Sequence, residues 1–341
     1  MQQDDPWSLA PRPPQKADQP AATLAQALLA LDYRAAPAFA VLDGAQFDNL
    51  PQALLIGGYV SRPLYLDRGD NNPEQIITAP HMVWLDERTE NVTGRTPQET
   101  IPALLNLIAG RPAAVFWQCP AGGDALYRHL RGINMVLYPK SALPDFEEPA
   151  PEDGPAADDP GTHTLVLFRH ADSNVIAQTL PAMTAAETAR FFGPASQLLF
   201  APDPDWAGGR DWIGAMKPAA LPNPPPGPLT LSVETVDAMS GIADESLQGV
   251  LRAYLKDTDG RMYASYSTED MDRIVIRSIE SGQGIGFKED FSYLFWSYLM
   301  MATGGAIADD PEVLAAISQP RRTPDEQLEH YVDSFLRSRG Y

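Results

Sequence analysis

The sequence predicts an α+β fold: a mixed N-terminal lobe with a small sheet, followed by an α-helical C-terminal lobe. Three observations carry this. Short apolar and β-branched runs alternate with capped helical segments over the N-terminal part of the chain. Lys217–Pro228 then places six prolines in twelve residues, the composition of a semi-rigid linker. Beyond it, apolar residues recur at helical spacing. The 341 residues divide into a flexible segment with a first helix (1–36), an α/β domain (37–212), a proline-rich linker (213–243) and a helical lobe (244–341).

Residues 1–20 are polar and proline-rich, and Ala21 to Leu31 reads as a helix. Ala38 to Leu42 reads as a strand ending at Asp43-Gly44, followed by a helical segment around Asn49 to Ile56. Arg62 to Leu66 and His81 to Leu85 are further strands. Thr96-Pro97-Gln98-Glu99 combines an N-cap, proline at the first helical position and an acid three residues on, so a helix runs from there to about Ile108. A strand at Ala113 to Gln118 and a helix at Gly123 to Arg131 come next. Asn134 to Tyr138 and Thr162 to Arg169 pair as a hairpin. The loop between them, 144–160, holds seven acids and no base, which keeps it in solvent. Thr184 caps a helix to Phe192, with Glu187 closing the cap, and a strand follows at Ser196 to Phe200.

In the helical lobe, Leu247, Val250, Leu251, Tyr254 and Leu255 form one stripe. Ser267 and Asp270 open a second helix, with Met271, Ile274, Val275 and Ile279 inward. Phe291 to Met301 is apolar nearly all round, as expected of a central helix. Asp310-Pro311 and Thr323-Pro324-Asp325-Glu326 start two more, the last with Leu328, Tyr331, Val332, Phe335 and Leu336 inward.

Acids outnumber bases 45 to 25, a formal charge of -20. Such a surface repels phosphate backbones and argues against nucleic acid as a partner. Cys119 is the only cysteine, so no internal disulfide forms and a reducing compartment fits. Beside Trp117 it reads as buried filler. Met1 to Lys16 lacks the apolar core of a signal peptide, and no run of about 18 apolar residues signals a membrane span. The expectation is a cytoplasmic protein with no membrane insertion.

One motif invites chemistry. Thr164 to Ser173 is a strand ending in Arg169-His170-Ala171-Asp172, which looks like the opening motif of histidine phosphatases. That reaction needs a histidine nucleophile and a second histidine to complete the phosphate cradle. The only downstream histidine, His330, sits inside a helix pattern, so a phosphohydrolase using Arg169 and His170 is the lesser alternative. An unrelated regulatory protein-binding module is another. His81, His129 and His163 are scattered, and there is no Walker A, G-x-S-x-G or H-E-x-x-H sequence. Gly282-Gln-Gly284-Ile-Gly286 follows a helix and reads as its terminus. Asp43, Asp67, Asp70 and Asp86 near strand ends read as turn and cap residues rather than metal ligands. The expectation is no catalytic residue, no metal and no cofactor.

Several segments, in order, resemble the effector-chaperone or adaptor family of bacterial type VI secretion, the Tap or TEC proteins. They are Phe39-Ala-Val-Leu-Asp43-Gly44-Ala45, Pro63-Leu-Tyr-Leu, Ala79-Pro80-His-Met-Val-Trp-Leu85, Phe116-Trp117 ahead of His129-Leu130-Arg131, and Leu167-Phe168-Arg169-His170-Ala171-Asp172. The resemblance covers about residues 37–206. Ser173 stands where the family has proline, Gln118-Cys119 where serine is common, and the acidic loop looks like an insertion. The resemblance implies a non-enzymatic chaperone that binds a toxic effector and loads it on the spike protein. Arg169, Asp172, His129 and Arg131 are expected to form a charge cluster holding sheet to helix. Phe291, Tyr293, Phe295 and Trp296, with Tyr298, are candidates for an effector-binding groove.

Overall fold

A computed structural model describes residues 23–65, 73–143, 161–224, 227–318 and 322–338, in two compact units divided at Ser240–Gly241. The expected N-terminal polar segment, the acidic loop 144–160, Asp67 and Asp70 lie outside the described residues.

The first unit begins with α1 (Leu24–Leu29), where Thr23 and Gln26 exchange reciprocal cap bonds. Then come β1 (Ala38–Leu42), α2 (Leu50–Ile56), β2 (Ser61–Pro63), α3 (Pro73–Thr78), β3 (His81–Trp84), α4 (Pro97–Ile108) and β4 (Ala114–Gln118). They are followed by α5 (Gly123–Ile133), β5 (Met135–Pro139), β6 (His163–Leu167), α6 (Ser173–Ala182) and α7 (Ala185–Phe192). The last pieces are β7 (Gln197–Phe200), α8 (Pro204–Ala207), β8 (Ile213–Met216) and β9 (Leu229–Thr230).

Six strands make one antiparallel sheet, ordered β2-β3-β1-β4-β7-β8. Every residue of β1 is buried, and its alternation sorts two cores. Phe39 and Val41 join Trp84 and Trp117 under Leu126, Leu130, Ile176 and Phe191. Ala40 and Leu42 face Leu28, Leu50, Ile101 and Leu104. Helices on both faces explain why β1 reads as an unbroken apolar run although its neighbours are antiparallel.

The expected hairpin is present: Val136 faces Val166 and Leu137 faces Leu165 across β5 and β6. β9 adds to β5 in parallel, making a second, three-stranded sheet. Much of the segment read as a linker is therefore packed. Ile213 pairs with Phe200 in the main sheet, and Leu229 is fully buried beside Val136. Of 213–243, the described residues without helix or strand fall mainly between Met216 and Leu229, where proline removes backbone donors.

The unit division falls inside α9 (Val233–Thr258), not in the proline segment. This helix starts well ahead of the Leu247 stripe, and its early start is hidden in the sequence because Gly241 and small polar residues blur the period of its first half. The second unit contains the rest of α9, then α10 (Gly260–Tyr263), α11 (Thr268–Ile285), α12 (Asp290–Ala302), α13 (Pro311–Ile317) and α14 (Pro324–Ser338). Leu251, Leu255, Met271, Ile274, Val275, Ile279, Trp296, Met300 and Leu328 share its core. A β-carbon on Gly282 would lie 2.7 Å from the Tyr293 ring, so its lack of a side chain lets α11 and α12 close up. Gly286, at φ 95°, ends α11, as its glycine-dense sequence predicts. No helix among the described residues is long and apolar enough to cross a membrane.

Candidate functional site

The candidate cluster forms where β1 and β6 each run into a turn. Asp43 follows β1 and caps the short helical turn Gly44–Gln46 through its Oδ1, which accepts the Ala45 N–H at 3.2 Å. Asp172 follows β6 and caps α6 in the same way, accepting the Asn174 N–H at 2.9 Å. Both carboxylates are buried, and Arg169 lies between them. Its Nη2 donates to Asp43 Oδ2 and sits 3.2 Å from Asp172 Oδ2. Gln46 Nε2 donates to the same Asp172 oxygen at 3.2 Å, and the Gln46 carbonyl accepts from Arg111. Burial raises the Asp172 pKa, opposed chiefly by the Arg169 guanidinium, with Asp43 nearby adding to the rise.

A cleft of about 80 Å³ opens beside this cluster, lined by Asp43, Tyr65, Thr78, Leu167, Arg169 and His170 among others. Its volume is well below the roughly 300–1,000 Å³ of small-molecule sites. His170 is 1% exposed. The Asn134 amide nitrogen donates to the Leu64 carbonyl at 3.0 Å, which turns the Asn134 oxygen toward His170 Nε2, 2.6 Å away. His170 therefore donates through Nε2. Burial, with His129 nearby, pushes its pKa down to about 3, so the ring is neutral.

The structure joins Asp43, Arg169 and Asp172 but takes His129 elsewhere. His129 Nε2 donates to the Phe191 carbonyl at 2.8 Å, linking α5 to α7. Burial first, then Arg190 and Lys217, bring its pKa down to about 4. Arg131 lies over the Tyr127 ring at 5.5 Å. Asp86 acts as the turn residue expected of it, bonding Arg88 through both oxygens. Cys119 is fully buried, its thiol pKa raised by burial. Among the described residues, no three His, Cys, Asp or Glu side chains come together as a metal-ligand set.

The five aromatics of α12 divide, with Tyr298 half-buried. Trp296 is fully buried and donates to Ser281 Oγ at 2.9 Å; Tyr293 is 8% exposed and donates to the Phe287 carbonyl. These two belong to the core and are closed to a partner. Phe291 is 54% exposed, and its ring stacks on half-buried Phe295, centroids 6.2 Å apart. The helix, expected to be central and covered on several sides, leaves one aromatic edge open at Phe291.

Sequence reasoning missed Gln46 and Asn134, single polar residues in no motif. It found Glu187 as a cap, but not its second task. That carboxylate also accepts the Ser232 N–H at 2.7 Å and the Thr235 hydroxyl at 2.6 Å.

No family model matches the chain, and no curated protein or solved structure matches it.

Proposed function

We propose that this chain is a non-enzymatic adaptor that binds a secreted effector protein and loads it on the spike protein of a type VI secretion system. The observation that carries the reading is the Asp43–Arg169–Asp172 junction. It ties together the first and last of the segments that resemble the adaptor family, although they are 126 residues apart. The segments between them lie on adjoining elements: Phe39 pairs with Trp84 on one side and Trp117 on the other. Such a cluster suits a scaffold better than a reaction centre, because its carboxylates are occupied by caps and by one guanidinium.

The phosphohydrolase alternative is weakened by His170, whose donor nitrogen is engaged by Asn134 and whose ring is buried. A phosphoryl acceptor must meet its substrate with a free, accessible nitrogen. Phosphatase activity that is present in the wild type and abolished in His170→Ala would overturn the proposal.

The direct experiment is co-purification of the tagged full chain from its native host, followed by mass spectrometry. Recovery of both a toxin and a spike protein supports the reading; recovery of neither sinks it. Removal of residues 241–341 is expected to abolish effector capture, and full-strength capture by the remaining chain would refute the assignment of the client to the helical unit.

A further inference from the structure

In the second unit, the starts of α12 and α14 are drawn together by one carboxylate. Asp325 Oδ1 accepts the backbone N–H groups of Lys288 and Glu289, both at 3.1 Å. Beside this fixed joint runs a groove of about 640 Å³, a size typical of ligand and peptide clefts (roughly 300–1,000 Å³). Pro324 and the exposed Phe291 ring supply apolar surface to its lining. Glu289, Glu326 and Glu329 stand along it against Lys288. The surrounding segment 241–341 has 17 acids against 10 bases.

We infer that this groove is a docking site for a basic amphipathic segment of a partner protein. An apolar anchor sits against Phe291, and lysine or arginine side chains meet Glu289, Glu326 and Glu329. Charge decides among the occupants. A membrane of anionic lipid or a nucleic acid would bring phosphates to an acidic rim, and a second copy would bring the same acids. A helix with apolar residues on one face and bases on its flanks satisfies both the ring and the rim. The inference rests on the chain being a protein-binding module, and is independent of which secretion route it serves.

Fluorescence anisotropy with the full chain tests it. The probe is a designed helical peptide of about 14 residues, with leucines at i, i+3, i+4 and i+7 and lysines elsewhere; a glutamate counterpart is the comparison. Phe291→Ser and the double variant Glu289→Lys/Glu329→Lys are each expected to weaken binding about tenfold or more. Asp211→Lys/Asp237→Lys, which removes the same charge from the first unit, should change it less than about twofold. All four positions of the charge variants are exposed, as is Phe291, and unchanged thermal midpoints verify folding. Equal weakening by the control pair would mean general attraction to an acidic chain and would overturn the inference. So would equal binding of the glutamate peptide, or self-association in sedimentation that Phe291→Ser abolishes. Failure to recover an effector from the host bears on the adaptor proposal alone, since the designed peptide does not depend on that client.

Discussion

The Glu187 carboxylate accepts the Thr235 hydroxyl at 2.6 Å, so one acid serves the start of α7 and the start of α9. It caps its own helix by accepting the Thr184 N–H and holds the other through Ser232 and Thr235. Burial alone would raise its pKa, yet the hydrogen bonds from Thr235, Thr184 and Ser232 outweigh it and hold the carboxyl below 4.5.

Glu187→Gln is therefore expected to destabilise the first unit by about 2 kcal/mol at neutral pH, because a neutral amide accepts less well and adds an unmatched donor. The folded carboxyl titrates below its ordinary 4.5. Its contribution is thus complete above that value and is lost as the pH falls through the folded one. Urea denaturation from pH 7 to pH 3 should show the two proteins converging at the acid end; a constant gap would disprove the linkage.

His129 loses stability in the same direction for a different reason, since burial disfavours its charged form. Its ordinary value is 6.5 and its folded value about 4. Between these, the unfolded chain holds a proton that the folded chain refuses, so stability falls as the pH falls, by up to about 1.4 kcal/mol per unit for this ring. His129→Gln keeps a donor for the Phe191 carbonyl without the titration, and should flatten the profile between pH 6.5 and 4. Denaturation midpoints at half-unit pH steps measure the slope.

Arg169→Ala leaves Asp43 and Asp172 facing each other without their shared cation. The side chain is 40% exposed, which admits water and moderates the loss to about 1–2 kcal/mol. Arg169→Lys, a single point charge in place of a planar fork, should recover only part of it. A double-mutant cycle with Asp43→Asn isolates the pair, and a coupling of zero would show that the two act independently.

Gly193 occupies φ 50°, ψ -120°, a conformation for glycine alone, and a β-carbon there would sit 2.3 Å from the His129 ring. Gly193→Ala should cost roughly 3 kcal/mol or more through strain and collision together. Adding His129→Ala should relieve the collision but not the backbone strain. A thermal midpoint in the double variant no higher than in Gly193→Ala would mean the ring is not the obstacle.

Much of the fold was legible because it is built from strong local patterns. β1, β3 and β4 are apolar runs with Phe39, Trp84 and Trp117 in register, and the helix starts at Thr96, Thr184 and Ser267 follow cap chemistry. β8 and β9 escaped notice because Ile213–Met216 contains glycine and Leu229–Thr230 is only two residues long. Arg169 and Asp172 could be singled out together, since they are three residues apart. Gln46, their third neighbour, is 126 residues from Asp172 and belongs to no pattern. In α12 the obstacle was different. A helix apolar all round has no periodicity to say that Trp296 turns inward and Phe291 outward.

The sheet order carries a consequence for the nascent chain. β4 is flanked by β1, made long before it, and by β7, which pairs Gln197–Phe200 with Val115–Gln118 and is made about 80 residues later. At synthesis rates of roughly 5–20 residues per second, the β4 edge with Phe116 and Trp117 waits some 4–16 s for its partner. During that interval it is an open template for neighbouring chains. Expression yield should therefore fall when translation between Cys119 and Ser196 is slowed.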